Sequence, residues 1–214
     1  MKITVFGASG AIGRLVTKMA LERGHSVTAY VRRPDVFPAK TDGLSVVVGK
    51  LDDRVLIARA VEGSDAVISA LGPSLNPPGK STATPIADGH RLIVAAMEKN
   101  GVKRLVTLAT PSLKARDDPK RFITWMPGAV ARALIPSAYR DIVSLGPILD
   151  GSKLDWTVVR IVNPNAKHRS DAYGAWIGEG KARMSVSREN VAAFQLECAE
   201  KDLYVRKMPV VFDA

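Results

Sequence analysis

Runs of β-branched and other apolar residues alternate along this chain with segments whose apolar positions recur every three to four residues. The runs are Ile3–Phe6, Ser26–Val31, Leu44–Val48, Asp65–Leu71, Arg104–Leu108 and Trp156–Arg160, with a seventh at Val205–Phe212. Several are apolar throughout, as strands covered on both faces should be. Helical spacing runs through Ile12–Arg23, Arg54–Val61, Ala83–Asn100 and Ala138–Gly151. Gly24, Gly63 and Gly101 stand where helix C-caps are expected. Ser187, ahead of Arg188-Glu189-Asn190, suits the N-cap of a last helix. The alternation predicts a parallel sheet with crossover helices. Two segments interrupt it. Pro73–Lys80 is rich in Pro, Gly and Ser, and Pro111–Pro136 is a basic, Pro-punctuated insertion carrying Phe122, Trp125, Met126, Pro127 and Ile135. Both follow strands, so both are expected to overhang the crevice at the carboxyl ends of the sheet.

A length of 214 residues suits one well-buried domain over 1–214 and is short for two. No stretch reaches the roughly 20 apolar residues of a membrane helix. Met1–Phe6 moves straight into a strand pattern, which leaves no room for a signal peptide. The single cysteine, Cys198, allows no internal disulfide and is expected to be packed, so a reducing, cytoplasmic setting is expected. The net charge of +10 changes the picture more. Between Asn100 and Arg140, Lys or Arg occupies positions 103, 104, 114, 116, 120, 121, 132 and 140, against Asp117 and Asp118. This run reads either as solvated surface charge or as a field for phosphate-bearing ligands. It contains no helix-turn-helix, zinc-finger or ribonucleoprotein pattern, so nucleic acid is not the expected partner. His25, His90 and His168 lack metal-ligand spacing, and no metal is expected.

The chemistry begins at Gly7-Ala8-Ser9-Gly10-Ala11-Ile12-Gly13, between the first strand and the first helix. Glycines at 7 and 10 let the backbone turn tightly and approach a pyrophosphate, and Gly13 permits close helix-to-strand packing. Free amides at the helix N-terminus then meet the phosphates. Three glycines alone would be weak, but their place after an apolar strand and before an amphipathic helix is the confirming context. The expected fold class is therefore α/β, a Rossmann-type doubly wound parallel sheet with a small C-terminal cap. The end of the second strand selects the cofactor. An NAD enzyme places a carboxylate there for the ribose 2′-hydroxyl. Here Val31-Arg32-Arg33-Pro34 offers two guanidiniums, which pair with a 2′-phosphate, and NADP(H) is expected. Arg32 is the stronger candidate, since Arg33 serves equally well as a solvated loop charge.

With Val31-Arg32-Arg33-Pro34, Val46-Val47-Val48-Gly49, Asp65–Gly72, Leu92–Met97 before Gly101-Val102, Leu154–Arg160 and Ser187–Ala192 added to the glycine turn, the chain resembles the atypical short-chain dehydrogenases. Within them it is similar to the NmrA-like and flavin/biliverdin-IXβ-reductase-like NAD(P)H-binding proteins, over nearly its whole length. The resemblance implies that Ala70, Leu71 and Gly72 run beside the adenosine ribose. It implies that Thr110 brings a hydroxyl towards the nicotinamide, with Ser112 as a substitute. It also implies that Arg160, Val162 and Asn163 pass the carboxamide, Asn163 standing where some members carry a histidine. Lys50 departs from the pattern, since many relatives place an acid there. Leu51, through its backbone, or Asp52 is the expected replacement in adenine recognition. Residues 111–136 and about 161–186 are the expected substrate-side loops and cap.

Tyr-x-x-x-Lys, the acid–base pair of most such enzymes, is missing: neither Tyr139 nor Tyr173 is followed by the lysine. Three functions stay open. The first is NADPH-dependent reduction of a small conjugated acceptor, flavin or quinone, by direct hydride transfer. Trp125, Met126, Pro127 and Ile135 would then wall the acceptor. The second is a non-enzymatic NADP(H) sensor. The third is an epimerase or dehydratase, which would need a substitute pair such as Tyr139 with Lys114. A monomer or small homo-oligomer is expected, with no membrane partner.

Overall fold

The computed structural model describes residues 1–38, 40–72, 83–119, 122–167, 172–178, 183 and 185–214, with only the backbone described at 122–127. The chain runs β1 (Lys2–Phe6), α1 (Ala11–Glu22), β2 (Ser26–Val31), β3 (Leu44–Val48), α2 (Arg54–Val61), β4 (Ala66–Ser69), α3 (Pro85–Lys99) and β5 (Arg104–Ala109). It continues with α4 (Phe122–Leu134), α5 (Pro136–Val143), α6 (Leu145–Asp150), β6 (Asp155–Ile161), β7 (Pro164–Asn165), β8 (Tyr173–Trp176), β9 (Val186–Ser187), α7 (Arg188–Glu200) and β10 (Val210–Asp213).

Eight strands form one sheet in the order β3-β2-β1-β4-β5-β6-β10-β8, and β7 pairs with β9 separately. Every pair in the large sheet is parallel except β10 with β8, at the edge. The strand order reverses between β1 and β4, which opens a crevice there at the carboxyl ends. Both faces are covered. Ile3 and Val5 of β1 point into a core shared with α1 and α7, while Phe6 points to the opposite core, shared with α2, α3, α5 and α6. This period of two explains why the central strands read as continuous apolar runs. No helix among the described residues is long and apolar enough to cross a membrane.

The helix ends follow the sequence marks. Gly24, Gly63 and Gly101 take positive φ after α1, α2 and α3. Ser187 caps α7 by accepting from Asn190 N at 3.1 Å. Three expectations need correction. The Pro111–Pro136 insertion contains a helix, α4, whose alanine-rich second half favours helix despite Pro127 and Gly128. The helix expected over Ala138–Gly151 is two helices broken at Ser144. Pro147 has no N–H and its ring conflicts with the carbonyl four residues back, so it fits only in the first turn of a new helix. The last strand begins at Val210 rather than Val205. Residues 201–206 are instead turns, with Asp202, Tyr204 and Arg206 at φ of 50°, 56° and 55°. The buried Arg104 guanidinium gathers this segment, donating to the carbonyls of Cys198 (2.6 Å), Leu203 (2.8 Å) and Asp155 (2.6 Å) and to Thr157 Oγ1 (2.9 Å). A buried cation that satisfies several carbonyls overrides local strand propensity.

His90 ties α3 to β5 beneath the crevice. Its Nδ1 lies 2.8 Å from the Ile86 carbonyl and its Nε2 lies 2.9 Å from Thr107 Oγ1, so Nδ1–H donates and Nε2 accepts. The ring is wholly buried, and burial pushes its pKa down to about 4. The unfolded chain takes up a proton near pH 6.5 that the folded chain refuses until about pH 4. Stability present above about pH 6.5 is therefore lost progressively towards pH 4, by about 3 kcal/mol. Urea unfolding across this range should show native stability falling below pH 6.5, with a shallower slope in His90→Gln. Equal slopes would refute this role for the imidazole.

Candidate functional site

The turn after β1 leaves no room for side chains. Gly7 has φ of +73°, and a Cβ there would lie 2.9 Å from the Ala70 carbonyl carbon. A Cβ on Gly13 would lie 2.2 Å from the Gly7 oxygen. The end of β1, the end of β4 and the start of α1 are thus in direct backbone contact. Gly10 is the N-cap of α1, forms no side-chain cap and is followed by no acid in the first turn. The first amides and the positive end of the helix dipole are left for an anion. Ala8 is buried, Ile12 is half-buried against the α1/α7 core and Ala11 is exposed; these three shape the cradle through their backbone.

Beyond this turn lies a crevice of about 420 Å³. Its wall is built from Gly7, Ser9 and Gly10, from Tyr30, Val31 and Arg32, from Gly49 and Leu51, from Ala70, Leu71 and Gly72, and from Pro85, Ile86 and Asp141. Eight of the seventeen expected cofactor residues line it: Gly7, Ser9, Gly10, Arg32, Leu51, Ala70, Leu71 and Gly72. Arg32 lines the wall while Arg33 does not; both are exposed, and neither has a hydrogen-bond or ion-pair partner among the described residues. Leu51 packs over α3, where a Cβ on Gly89 would stand 3.2 Å from it. Asp52 is exposed and outside the wall, and Asp53 is spent on capping α2 at Leu56 N (3.0 Å).

Six wall residues were not among the expected site residues, and two of them, Tyr30 and Asp141, are held by side-chain hydrogen bonds to distant backbone. Tyr30 donates its hydroxyl to the Lys50 carbonyl at 2.7 Å and stacks at a tilt on Phe6, centroids 4.9 Å apart. Burial, then Asp53 and Asp52, push its hydroxyl up to about 12, so it stays a neutral donor. This contact requires Gly49, since a Cβ there would lie 2.3 Å from the Tyr30 oxygen. Asp141 of α5 is buried and accepts from Ile86 N (3.1 Å) and Ala87 N (2.8 Å) at the start of α3. Burial raises its pKa, and the two amides oppose that shift. Nothing local in the sequence marks a carboxylate 55 positions away as the cap of α3.

At the carboxyl ends of β5 and β6 the expected residues separate. Thr110 is half-buried, and its carbonyl accepts from Leu113 N at 3.0 Å. Ser112 is buried, with Gly128 of α4 facing its Cα. Arg160 is spent elsewhere. Its buried guanidinium forms a two-pronged pair with Asp118, one prong at 2.7 Å, and reaches the Leu113 carbonyl at 3.4 Å. It tethers the segment after β5. Val162 and Asn163 follow β6 outside the crevice wall, and Asn163 adopts a positive φ of 45°. Tyr139 and Lys114 line a common cavity. The Pro73–Lys80 loop and His168 lie outside the described residues, as do the side chains of Trp125, Met126 and Pro127, while Ile135 is exposed. His25 bonds Glu200 at 2.6 Å, and Cys198 is buried. Among the described residues no group of three His, Cys, Asp or Glu is arranged to hold a metal.

Comparison with known proteins bears on the fold and the family. The chain is 28% identical to the oxidoreductase stcQ of Emericella nidulans, over 97% of its own length and 81% of the relative's. Other curated relatives are longer, and the chain spans between 33% and 62% of three of them. A short-chain dehydrogenase/reductase from Veillonella parvula, solved in complex with NADP, superposes with a TM-score of 0.80 at 18% identity, over 99% of this chain and 94% of that one. The anaerobillin reductase ChuY of Escherichia coli O157:H7 superposes with a TM-score of 0.79 at 21% identity, over 100% and 97%. These two likenesses establish the fold. The NAD(P)H-binding family model matches residues 7–202, from the first glycine of the turn to beyond α7, and the chain belongs to that NAD(P)H-binding family.

Proposed function

We propose that the protein is an NADPH-dependent reductase of a planar conjugated acceptor, a flavin or a quinone. The observation that carries the cofactor choice is Arg32, a guanidinium on the crevice wall with no partner among the described residues. Along the chain the first acid after β2 is Asp35, which is not among the wall residues. A planar fork in that place suits a 2′-phosphate and leaves a bare 2′-hydroxyl without its acceptor. The glycine cradle and the open amides of α1 suit the pyrophosphate.

Bound NADPH would supply the hydride. The chain's own part is position and exclusion. The amides of α1 and Arg32 hold the phosphates, and the backbone at Ala70–Gly72 flanks the ribose side. Thr110, fixed by the turn that its carbonyl makes with Leu113, offers a hydroxyl to orient the acceptor. Ser112 is buried under α4 and serves as a support for that turn. On this reading the described parts of segments 111–136 and about 161–186 wall the acceptor, with Val162 and Asn163 at their edge. A flavin or quinone accepts a hydride at a conjugated position and takes its proton from solvent, so a site without Tyr-x-x-x-Lys suffices. The oxidoreductase and reductase names of the similar proteins support this class of reaction.

NADPH should bind far more tightly than NADH, and Arg32→Ala should weaken NADPH by about ten- to a hundredfold, the worth of a charge-assisted contact. NADH affinity should stay within about twofold. Equal binding of the two nucleotides by the native protein would sink the assignment. Absorbance loss at the nicotinamide band, with FMN or a naphthoquinone as acceptor, reads turnover. Thr110→Val should lower kcat about tenfold with little change in NADPH affinity. Tight NADPH binding with no acceptor reduced would overturn the reductase reading and leave a cofactor-binding regulator.

A further inference from the structure

A second cavity, of about 460 Å³, lies between α4 and α5 and is lined by Lys114, Gly128, Ala129, Arg132, Ala133 and Tyr139. Residues 128, 129, 132 and 133 share one face of α4. Three of these are small, which leaves the volume open, and the fourth projects a guanidinium. Among the described residues every polar side chain of the wall is a cation or a hydroxyl, and no carboxylate lines it.

The acids of the segment that forms the cavity are committed elsewhere. Four acids lie between positions 111 and 150, and each is engaged. Asp117 pairs with Lys207 at 2.8 Å, Asp118 with the Arg160 guanidinium, and Asp150 with Arg116 at 3.5 Å. Asp141 holds the amides of α3. Lys114, Arg132 and Tyr139 have no hydrogen-bond or ion-pair partner among the described residues. The wall thus offers the donors of a guanidinium, an ammonium and a phenol, aimed at one space and without an acceptor.

We infer that this cavity is an anion subsite, built for a phosphate monoester carried by the acceptor. Two cations match the near −2 charge of such a group better than the single charge of a carboxylate. The location suits an acceptor of that shape. Tyr139 and Asp141 lie on opposite sides of α5, Asp141 on the nucleotide crevice and Tyr139 on the cavity. The two spaces are therefore separated by one helix, about 10 Å across. An acceptor would place its ring at the crevice mouth and its phosphate, on a flexible arm, beyond α5. The assignment of the ligand as acceptor rests on the reductase reading; the anion site itself does not.

FMN and riboflavin share one ring system and differ by the phosphate, so flavin fluorescence titrations on protein saturated with NADP⁺ test the subsite without turnover. FMN should bind at least about tenfold more tightly than riboflavin, with a ratio that shrinks as salt rises. Arg132→Gln and Lys114→Gln should each bring the ratio towards one, and Arg132→Lys, which keeps the charge, should restore most of it. FMN binding no tighter than riboflavin, including no binding of either, overturns the subsite, as does a ratio untouched by Arg132→Gln. Phosphate-dependent binding without NADPH oxidation leaves the subsite standing and sinks the reductase reading. Turnover with equal affinity for the two flavins does the reverse.

Discussion

At the carboxyl end of β1 the backbone is packed so closely that one added methyl group at Gly13 would stand 2.2 Å from the Gly7 oxygen. Much of the molecule follows from that contact. It lets the first helix begin directly over the strand, so the open amides of α1 face the gap where the sheet order reverses. It also brings the end of β4 against the turn, since Gly7 admits no Cβ beside Ala70. The crevice wall is consequently made of main chain on this side. Main chain brings donors with fixed direction and little conformational freedom left to lose on binding, which is what recognition of a pyrophosphate demands.

The opposite side of the crevice is organised by buried polar groups. Arg160, near the end of β6, is turned away from solvent and anchors Asp118. The pair fixes the chain after β5, including the stretch that carries Thr110 and Lys114. A buried ion pair of this kind adds little net stability but penalises any arrangement that leaves either charge alone. Arg104 plays the comparable part at the far end of the same sheet, where it collects carbonyls from α7 and from the turns that follow. In both places a cation holds irregular chain in one geometry where apolar packing alone would leave it undetermined.

The sequence showed the fold in most of its parts because local rules and tertiary packing agreed there. The strand runs, the glycine turn, the cap glycines and Ser187 each reflect steric or hydrogen-bond demands that act within a few residues. The place of Arg32 on the crevice wall was legible for the same reason, being set by the end of its own strand. The failures have a common cause in contacts between distant segments. Arg104 turned the pattern at 205–209 away from a strand, and Asp118 engaged the Arg160 guanidinium. Asp141 and Tyr30 became wall residues through partners that no spacing rule connects to them. Tyr139 and Lys114, 25 positions apart, were brought to one cavity by the packing of α4 and α5.

Two helices, α1 and α3, start on the crevice, and by their dipoles either would attract a phosphate. Only one is available. The carboxylate of Asp141 already sits across the first amides of α3 and presents negative charge to that wall. The cleft therefore has an electrical polarity, inviting anions at one rim and repelling them at the other. A dinucleotide is nearly symmetrical in outline, with a ribose and a base at either end of its pyrophosphate. In this cleft it meets a polarity that distinguishes the two directions of binding before any base is read.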